Sequence, residues 1–316
     1  MPNEKFKTSI GGQALIEGVM MRGPAKSALA VRMRSGEVDL EAWDNPATSG
    51  RWYRKTPFVR GMFNMVDAMK LGYKCMMKSA EKSGMLEDEA NIEPSRFEKW
   101  LSDKLGDRFT SVITGFSVVI GVVLAVGLFS VLPVFLVSLL PRLTGAEFTP
   151  MVRALLEGLV RIIIFVSYIV AVSRMKDIRR VFQYHGAEHK TISCHEADQE
   201  LTVENVRAHS RFHRRCGTSF LLIVFVTSIL IFSLVRIEHV IIRALFRFAL
   251  LPVVISIAYE IIKFAGRHDN ILTRAISAPG LWLQRLTSHE PDDRQIEVAI
   301  ASMTAVIPEE NGADTW

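Results

Sequence analysis

The chain has 316 residues, of which 49% are hydrophobic, and its formal net charge is +5. Its apolar residues are gathered into long blocks instead of being spread at amphipathic spacing, which argues against an ordinary soluble domain. The positive charge requires no nucleic acid, because basic residues beside helix ends are what membrane insertion and anionic headgroups favour. Composition therefore predicts an α-helical integral membrane protein whose first partners are membrane lipids.

Residues 1–56 form a glycine-rich region in which the pattern predicts a β-hairpin. Two β-like runs, Ala28 to Arg34 and Glu37 to Trp43, are joined at Ser35-Gly36, a pair typical of tight turns. The glycines match neither a dinucleotide fingerprint nor a P-loop, so no nucleotide site is predicted. We expect this region to form a small α+β cytoplasmic part with the helices that follow it.

Residues 57–108 are predicted to contain a methionine-rich amphipathic helix, an acidic linker and a second helix. In the first helix, apolar residues recur at spacings of three and four, which is typical of a face that packs against protein or a membrane surface. The predicted face comprises Phe58, Met62, Met65, Met69, Tyr73, Met76 and Ala80.

Residues 109–173 are predicted to hold the first two of about four transmembrane helices. Thr110 to Leu140 contains 31 residues without a charge, and a helix needs only about 20 to cross the hydrocarbon core, so tilting or a kink at Pro133 is expected. The second segment, Leu155 to Ser173, carries Glu157 and Arg161, one helical turn apart, which predicts an intramembrane ion pair.

Residues 218–264 are predicted to hold the third and fourth transmembrane helices. Thr218 to Val235 is uncharged, whereas Val240 to Ile262 is apolar but interrupted by charges, so it forms either a span or a re-entrant segment. The interrupting residues are Arg243, Arg247 and Glu260. We expect the two arginines to extend toward a membrane interface.

The distribution of basic residues predicts the orientation. Residues 174–217 contain nine lysines and arginines, whereas residues 141–155 contain two, and basic loops favour the cytoplasmic side. Four spans then place both termini in the cytoplasm, including a helical tail over residues 265–316. The first thirty residues lack the apolar stretch of a signal peptide. The expected location is the bacterial cytoplasmic (inner) membrane.

The string YHGAEHKTISCHE contains the most informative chemistry in the chain. His185 and His189 lie four residues apart within a helical pattern, so both imidazoles fall on one face and can bind one divalent ion. With Glu188 they form HxxEH, the inverted zincin signature, in which the glutamate is the general base that deprotonates a water at the metal. The pattern predicts a metal site, with zinc the expected ion.

A catalytic zinc needs a third protein ligand. Glu260 is the first candidate, because a carboxylate in an apolar helix is costly unless it is paired or functional. His213 and Cys216, three residues apart before the third span, are the next candidates, and Glu196 is a weaker one. The alternative is that the histidines occupy a polar helix end and that Cys216 is a packed small residue.

Five ordered motifs resemble the YqhQ-like bacterial membrane proteins, a family with a domain of unknown function. They are GGQALIEGVMMRGP, YHGAEHKTI, HRRCGTSF, LLPVVISIAYE and APGLWLQRLTSHEPDDRQIEVAI, and the resemblance extends from about Gly11 to about Met303. The family has been described as predicted metal-dependent enzymes. The resemblance implies that its recurring motifs include His185, Glu188, His189, His213, Arg215, Cys216, Glu260, Gln284 and Glu290.

The chain departs from known HxxEH peptidases, which are large soluble proteins. Here a short helix follows a membrane span, and Gly186 inside the motif costs about 1 kcal/mol of helix propensity relative to alanine. A glycine at this position permits the close approach of another helix or a headgroup. Proteolysis is therefore one of several reactions that the motif allows.

Three classes of function are compatible with the sequence. The first is a membrane-embedded, metal-dependent hydrolase that acts at the cytoplasmic face on a lipid-linked or membrane-proximal substrate. The second is a transporter or channel component in which intramembrane charges line a path, and this would require a homo-oligomer because four spans are few. The third is a non-catalytic scaffold that presents its N-terminal part to a cytoplasmic partner.

Overall fold

The computed structural model describes residues 6–46, 52, 56–85, 109–235, 237, 240–268, 270–309 and 312–315. The chain divides into two compact units. The first unit, called the site unit below, comprises residues 1–85, 169–227 and 250–316. The second, called the span unit, comprises residues 86–168 and 228–249.

The N-terminal region forms a four-stranded antiparallel sheet in the order β1-β2-β3-β4. Its strands are β1 (Gly11–Leu15), β2 (Gly18–Arg22), β3 (Lys26–Arg32) and β4 (Val38–Asp44). The hairpin expected from the sequence is present as β3 and β4, and Gly36 in its turn has a φ of +88°, which glycine adopts without steric cost. The first two strands were not predicted.

The described helices follow the sheet along the chain. A π-helical turn, Gly127–Val131, joins α2 to α3. In chain order the helices are α1 (Arg60–Lys82), α2 (Phe109–Val126), α3 (Leu132–Thr144), α4 (Pro150–Val172), α5 (Lys176–Glu196), α6 (Val203–Ala208), α7 (Gly217–Ser233), α8 (Val240–Arg267), α9 (Ile271–Thr287) and α10 (Asp293–Thr304).

Both faces of the sheet are covered by helices within the site unit. Alternate side chains of a strand point to opposite faces, so Val19 and Met21 enter one core while Met20 enters the other. The first core is completed by residues of α5 and α10, including Tyr184 and Ile296, and the second by α1. The sheet is therefore a platform that holds α5 from one side.

Three described helical segments are long and apolar enough to cross a membrane, by length and composition: Gly115–Thr144, Pro150–Val172 and Leu245–Arg267. The predicted third span is the apolar helix α7, which has only 17 residues. The predicted fourth segment is a continuous helix of 28 residues that passes through Pro252. The structure thus supports the membrane-associated class, with three long candidate spans and one short apolar helix.

The expected irregularity at Pro133 takes the form of the π-helical turn that ends just before it. Proline has no N–H to donate to the carbonyl one turn earlier, which here is that of Phe129. This carbonyl accepts a hydrogen bond from Nε of Arg161 at 2.8 Å. The helix distortion therefore provides an acceptor for a guanidinium inside an apolar unit.

The predicted ion pair between Glu157 and Arg161 is wrong. Glu157 Oε2 accepts a hydrogen bond from Nη1 of Arg247 at 2.6 Å, and its other carboxylate oxygen lies 3.8 Å from Arg243. Arg243 and Arg247, which were predicted to extend toward an interface, turn their guanidinium groups toward this buried carboxylate. Local spacing within one helix did not reveal the partners on α8.

The packing face of α1 also differs from the predicted one. The buried residues of this helix are mostly small: Gly61, Gly72, Cys75, Ser79 and Ala80. Of the predicted face, Ala80 is buried, whereas Phe58, Met69 and Tyr73 are exposed. Hydrophobic periodicity identifies an apolar stripe, but it does not distinguish a stripe that is packed inside the chain from one that is left exposed.

Gly186 allows another part of the chain to pass close to α5. A Cβ atom at this position would lie 2.0 Å from the carbonyl oxygen of His289, and the His289 N–H donates to the Phe182 carbonyl at 2.8 Å. The close approach expected from the sequence is therefore made by the backbone between α9 and α10, not by another helix or a headgroup.

We predict that Gly186→Ala destabilises the protein by about 1–3 kcal/mol, because the added methyl group overlaps a backbone atom that side-chain rotation cannot move. The measurement is thermal unfolding of the detergent-purified protein. Gly121→Ala is the matched control, since nothing lies within 4 Å of a Cβ there, and its stability should stay within about 1 kcal/mol of the parent. Equal unfolding temperatures for the two variants would contradict the prediction.

Candidate metal centre

Three potential ligands meet in the interior of the site unit. His185 and His189 lie one turn apart on α5, with ring centroids 4.2 Å apart. Cys216 precedes the first residue of α7, and its Sγ lies 3.2 Å from Nε2 of His185. The ligand atoms of the three buried residues all lie within 4.8 Å of one another. This group is called the His-His-Cys cluster below.

Backbone carbonyl groups orient both imidazoles. Nδ1 of His185 lies 2.6 Å from the Thr287 carbonyl oxygen, and Nδ1 of His189 lies 2.7 Å from that of Arg211. A carbonyl oxygen only accepts, so each Nδ1 must carry a proton, and Nε2 is the atom left to bind a ligand. Metal-binding histidines are held in this way, with the second ring nitrogen donating to a carbonyl or carboxylate.

Two buried polar atoms of the site have no hydrogen-bond partner in the described part of the chain: Nε2 of His189 and Oε2 of Glu188. A buried polar atom without a partner is costly, and each such case calls for an explanation. A divalent ion beside Nε2 of His189 would satisfy this atom. Two imidazoles and a thiolate match the preference of zinc and similar ions, not that of calcium or magnesium.

The cysteine and the histidines shift the pKa values of one another. Burial raises the pKa of the Cys216 thiol, but His185 and His189 outweigh this effect and hold the pKa well below its usual range. Burial lowers the pKa of His185, but Cys216 outweighs it and raises the pKa to about 10. Both shifts favour a proton on His185 over one on Cys216, and an ion bound between the two groups would replace that proton.

The glycine-rich N-terminal motif positions Glu188. The Gly12 N–H donates to the Glu188 carboxylate, and a Cβ on Gly12 would lie only 2.9 Å from two carbon atoms of the Glu188 side chain. Burial raises the pKa of Glu188 to about 7. The β1 segment therefore lies directly against the carboxylate of the HxxEH string, a role that the glycines alone did not reveal.

Glu260, the first predicted third ligand, has another partner. Its two carboxylate oxygens accept hydrogen bonds from Nε and Nη2 of Arg60 at 2.7 and 2.6 Å. The Phe58 N–H donates to the same carboxylate at 3.3 Å. This bidentate pair joins α1 to α8, so we do not include Glu260 in the ligand set.

The remaining predicted candidates lie beside the His-His-Cys cluster. The ring of His213 is 5.8 Å from that of His189 between centroids, and its Nε2 lies 3.2 Å from Oε2 of Glu196. Glu196 also forms an ion pair with Arg215 and accepts a hydrogen bond from the Thr8 N–H at 2.9 Å. These groups form a charged layer next to the cluster.

Gln284, which is completely buried, holds the segment that carries Cys216. Its Oε1 accepts from the His213 N–H at 2.9 Å, and its Nε2 donates to the His213 carbonyl at 2.8 Å. Both polar groups of one side chain are thus used on a single residue three positions before the cysteine. The sequence placed Gln284 in a recurring family motif, as an uncharged polar residue inside an apolar helical pattern, but it did not reveal this role.

We predict that Gln284→Ala destabilises the protein by about 2–4 kcal/mol, because it leaves the buried N–H and carbonyl of His213 without partners. Thermal unfolding of the purified protein measures the effect. Gln183→Ala is the control, since the side-chain hydrogen bonds of Gln183 are 3.4 Å long and their loss should cost little. A similar loss of stability in both variants would argue against a stabilising role for the hydrogen bonds between Gln284 and the His213 backbone.

Comparisons with known proteins agree with the resemblance seen in the motifs. A family model described as "Protein of unknown function (DUF1385)" matches residues 56–309. The chain is 34% identical over 311 residues to "Uncharacterized protein YqhQ" of Bacillus subtilis (strain 168), an alignment that covers 97% of this chain and 95% of that protein. No solved structure matches the chain.

Proposed function

The chain belongs to the DUF1385 family, whose description names no activity. We therefore propose a function from the residues of the site. In this proposal the protein is a membrane-embedded, metal-dependent hydrolase in which His185, His189 and Cys216 hold a divalent ion, with zinc as the best match. The buried His-His-Cys cluster carries the proposal. A bound ion would supply Lewis-acid chemistry, and three protein ligands leave a position open for substrate.

The residues around the cluster have distinct roles in this proposal. The Thr287 and Arg211 carbonyls keep the imidazoles in the binding orientation. Glu188 lies between the two histidines in sequence, and its unpartnered Oε2 is free to accept a proton from water during hydrolysis. Gly12 holds this carboxylate through its N–H.

A cleft beside the cluster supports a membrane-proximal substrate. It is bordered by the segment that precedes Cys216 and by Ala265 and Gly266 near the end of α8, the helix of the third candidate span. Its lining residues are Lys7, His213, Arg214, Arg215, Ala265, Gly266, His268, Thr273 and Ser277. The cleft is lined by none of the three ligands, so it indicates only the side from which a substrate anchored in the bilayer would approach.

The length of α7 supports four membrane crossings. Its 17 residues are at the short end of the spanning range, about 17–25 residues. Together with the three long candidate spans, this helix gives an even number of crossings, which leaves the segments before the first span and after the last span on the same side of the membrane.

The basic residues support a cytoplasmic position for the His-His-Cys cluster. Nine lysines and arginines lie in residues 174–217 and two in residues 141–155, the asymmetry expected when the former segment is cytoplasmic. We therefore place both termini and the His-His-Cys cluster on the cytoplasmic side of the bacterial inner membrane.

We predict near-stoichiometric zinc, iron or manganese in the detergent-purified protein, measured by mass spectrometry of the metals. The His185→Ala, His189→Ala double variant and Cys216→Ala should lose the metal, because each removes at least one ligand. Cys194→Ala is the matched control, since this buried cysteine on α5 faces the Gln199 and Glu200 carbonyls.

Glu260→Gln tests whether the third ligand is Glu260, as the sequence predicted, or Cys216, as the structure indicates. It should keep the metal, because Arg60 engages this carboxylate. Loss of metal from this variant, or parent protein that stays empty after incubation with each ion, would contradict the proposed site.

We predict that Glu188→Gln retains the metal but hydrolyses substrate at least about 100-fold more slowly, since general-base catalysis contributes about 10²–10⁴-fold. The assay compares parent and variant in nanodiscs on a panel of lipid-linked esters, amides and phosphodiesters. Turnover of a panel substrate by the parent and its loss in the variant would support hydrolysis. Equal turnover by both would exclude Glu188 as the base.

A nucleophilic cysteine is a second candidate, favoured by the distance of 3.2 Å between Cys216 Sγ and His185 Nε2. A thiolate beside an imidazolium at the start of a helix is the arrangement that activates cysteine nucleophiles. Alkylation with iodoacetamide distinguishes the two candidates. A metal-free parent that loses activity on modification of Cys216 would favour the nucleophile, whereas metal that protects Cys216 would favour the metal centre.

A further inference from the structure

The span unit contains an excess of arginine among apolar helices. Arg153 and Arg161 lie on α4 with Glu157, and Arg243 and Arg247 lie on α8 and contact the Glu157 carboxylate. Among the described residues of this unit, the other acidic residue is Glu147, which is exposed before α4. These four arginines and Glu157 are called the arginine cluster below.

The contacts within the cluster neutralise only one of the four positive charges. The Glu157 carboxylate contacts Arg247 at 2.6 Å and Arg243 at 3.8 Å. Arg161 donates to the neutral Phe129 carbonyl. The guanidinium carbons of Arg161 and Arg247 lie 5.8 and 5.4 Å from the ring centroid of Phe232, a cation–π contact that adds no negative charge.

The excess charge cannot be removed by losing protons, because arginine stays protonated in proteins. Charges in apolar helices are costly and normally have a partner of opposite sign. The Nε atoms of Arg153 and Arg247 are buried and have no hydrogen-bond partner in the described part of the chain. The cluster therefore has both a charge and donor atoms that an anion would satisfy.

The depth of the cluster matches a phosphate group at the membrane surface. Arg153 and Arg243 each come three residues after the first residue of their helix, and Glu157 and Arg247 each come seven residues after it. With a rise of 1.5 Å per residue, the outer pair lies about 5 Å and the inner pair about 10 Å from the helix starts. A headgroup phosphate reaches this level without entering the middle of the hydrocarbon core.

We propose that the arginine cluster binds a phosphate-bearing anion, supplied by the headgroup of an anionic lipid or by a soluble phosphate ester. The planar guanidinium group donates two parallel hydrogen bonds to phosphate, which makes arginine better suited to this ligand than lysine. Arg153 and Arg243 form the outer part of the site, and Arg247 forms its inner part beside Glu157. This site is independent of the His-His-Cys cluster and of the proposed hydrolysis.

The test uses full-length protein that has been delipidated and reconstituted in nanodiscs of phosphatidylcholine with a minority of phosphatidylglycerol. Native mass spectrometry counts the lipids that stay bound to the protein after it is released from the nanodisc. The parent should retain phosphatidylglycerol in preference to phosphatidylcholine. The amount of phosphatidylglycerol retained by R153Q/R243Q should be lower by a factor of about ten or more. R142Q is the matched control, because Arg142 is exposed in the last turn of α3, and it should behave as the parent does.

A second arm distinguishes the source of the anion. Glycerol 3-phosphate and inorganic phosphate are added to protein in pure phosphatidylcholine nanodiscs, and binding is measured in the same way. Binding of these soluble species that R153Q/R243Q loses would identify a phosphate ester as ligand, whereas preference for phosphatidylglycerol alone would identify a lipid. Either result supports the phosphate site.

The proposal is overturned if the parent binds no phosphate-bearing anion more strongly than R153Q/R243Q does. If the double variant does not elute as a folded particle, the single variants R153Q and R243Q replace it. Equal retention by the parent and both single variants would then overturn the proposal.

Discussion

The candidate site depends on two hydrogen bonds from imidazole Nδ1 atoms to backbone carbonyls, those of Thr287 and Arg211. These bonds leave both Nε2 atoms as the ligating atoms and aim them at Cys216. Neither carbonyl belongs to the helix that carries the histidines. The site therefore exists only when three distant parts of the chain have packed together, and Gln284 fastens two of them by binding the His213 backbone.

The sheet also fixes the position of Glu188, the carboxylate that acts as the base in the proposed mechanism. Its core with α5 and α10 is apolar and buried, so the sheet presents Gly12 to Glu188 from a rigid support. A side chain at Gly12 would occupy the space of the carboxylate. The N-terminal motif and the HxxEH string, about 170 residues apart in sequence, thus form parts of one structural site.

The sequence predicts those features that depend on local spacing. His185 and His189 share a helix face because they are four residues apart, and the hairpin at Gly36 follows from its turn residues. Partners that lie far apart in sequence were not predicted. Glu157 is paired with Arg247, 90 residues away, and Glu260 with Arg60, 200 residues away. A charge within an apolar segment indicates that a partner is needed. The tertiary fold determines which residue that partner is.

The order of the elements has a consequence for biosynthesis. The apolar face of β2 and β3 is covered by α10, which lies near the C-terminal end of the chain. Ribosomes add about 5–20 residues per second, so α10 is synthesised roughly 15–50 seconds after β2 and β3. The apolar helices that are candidate membrane spans are synthesised during this interval. The nascent sheet therefore exposes this apolar face until α10 has been synthesised, and the site cannot be completed before then.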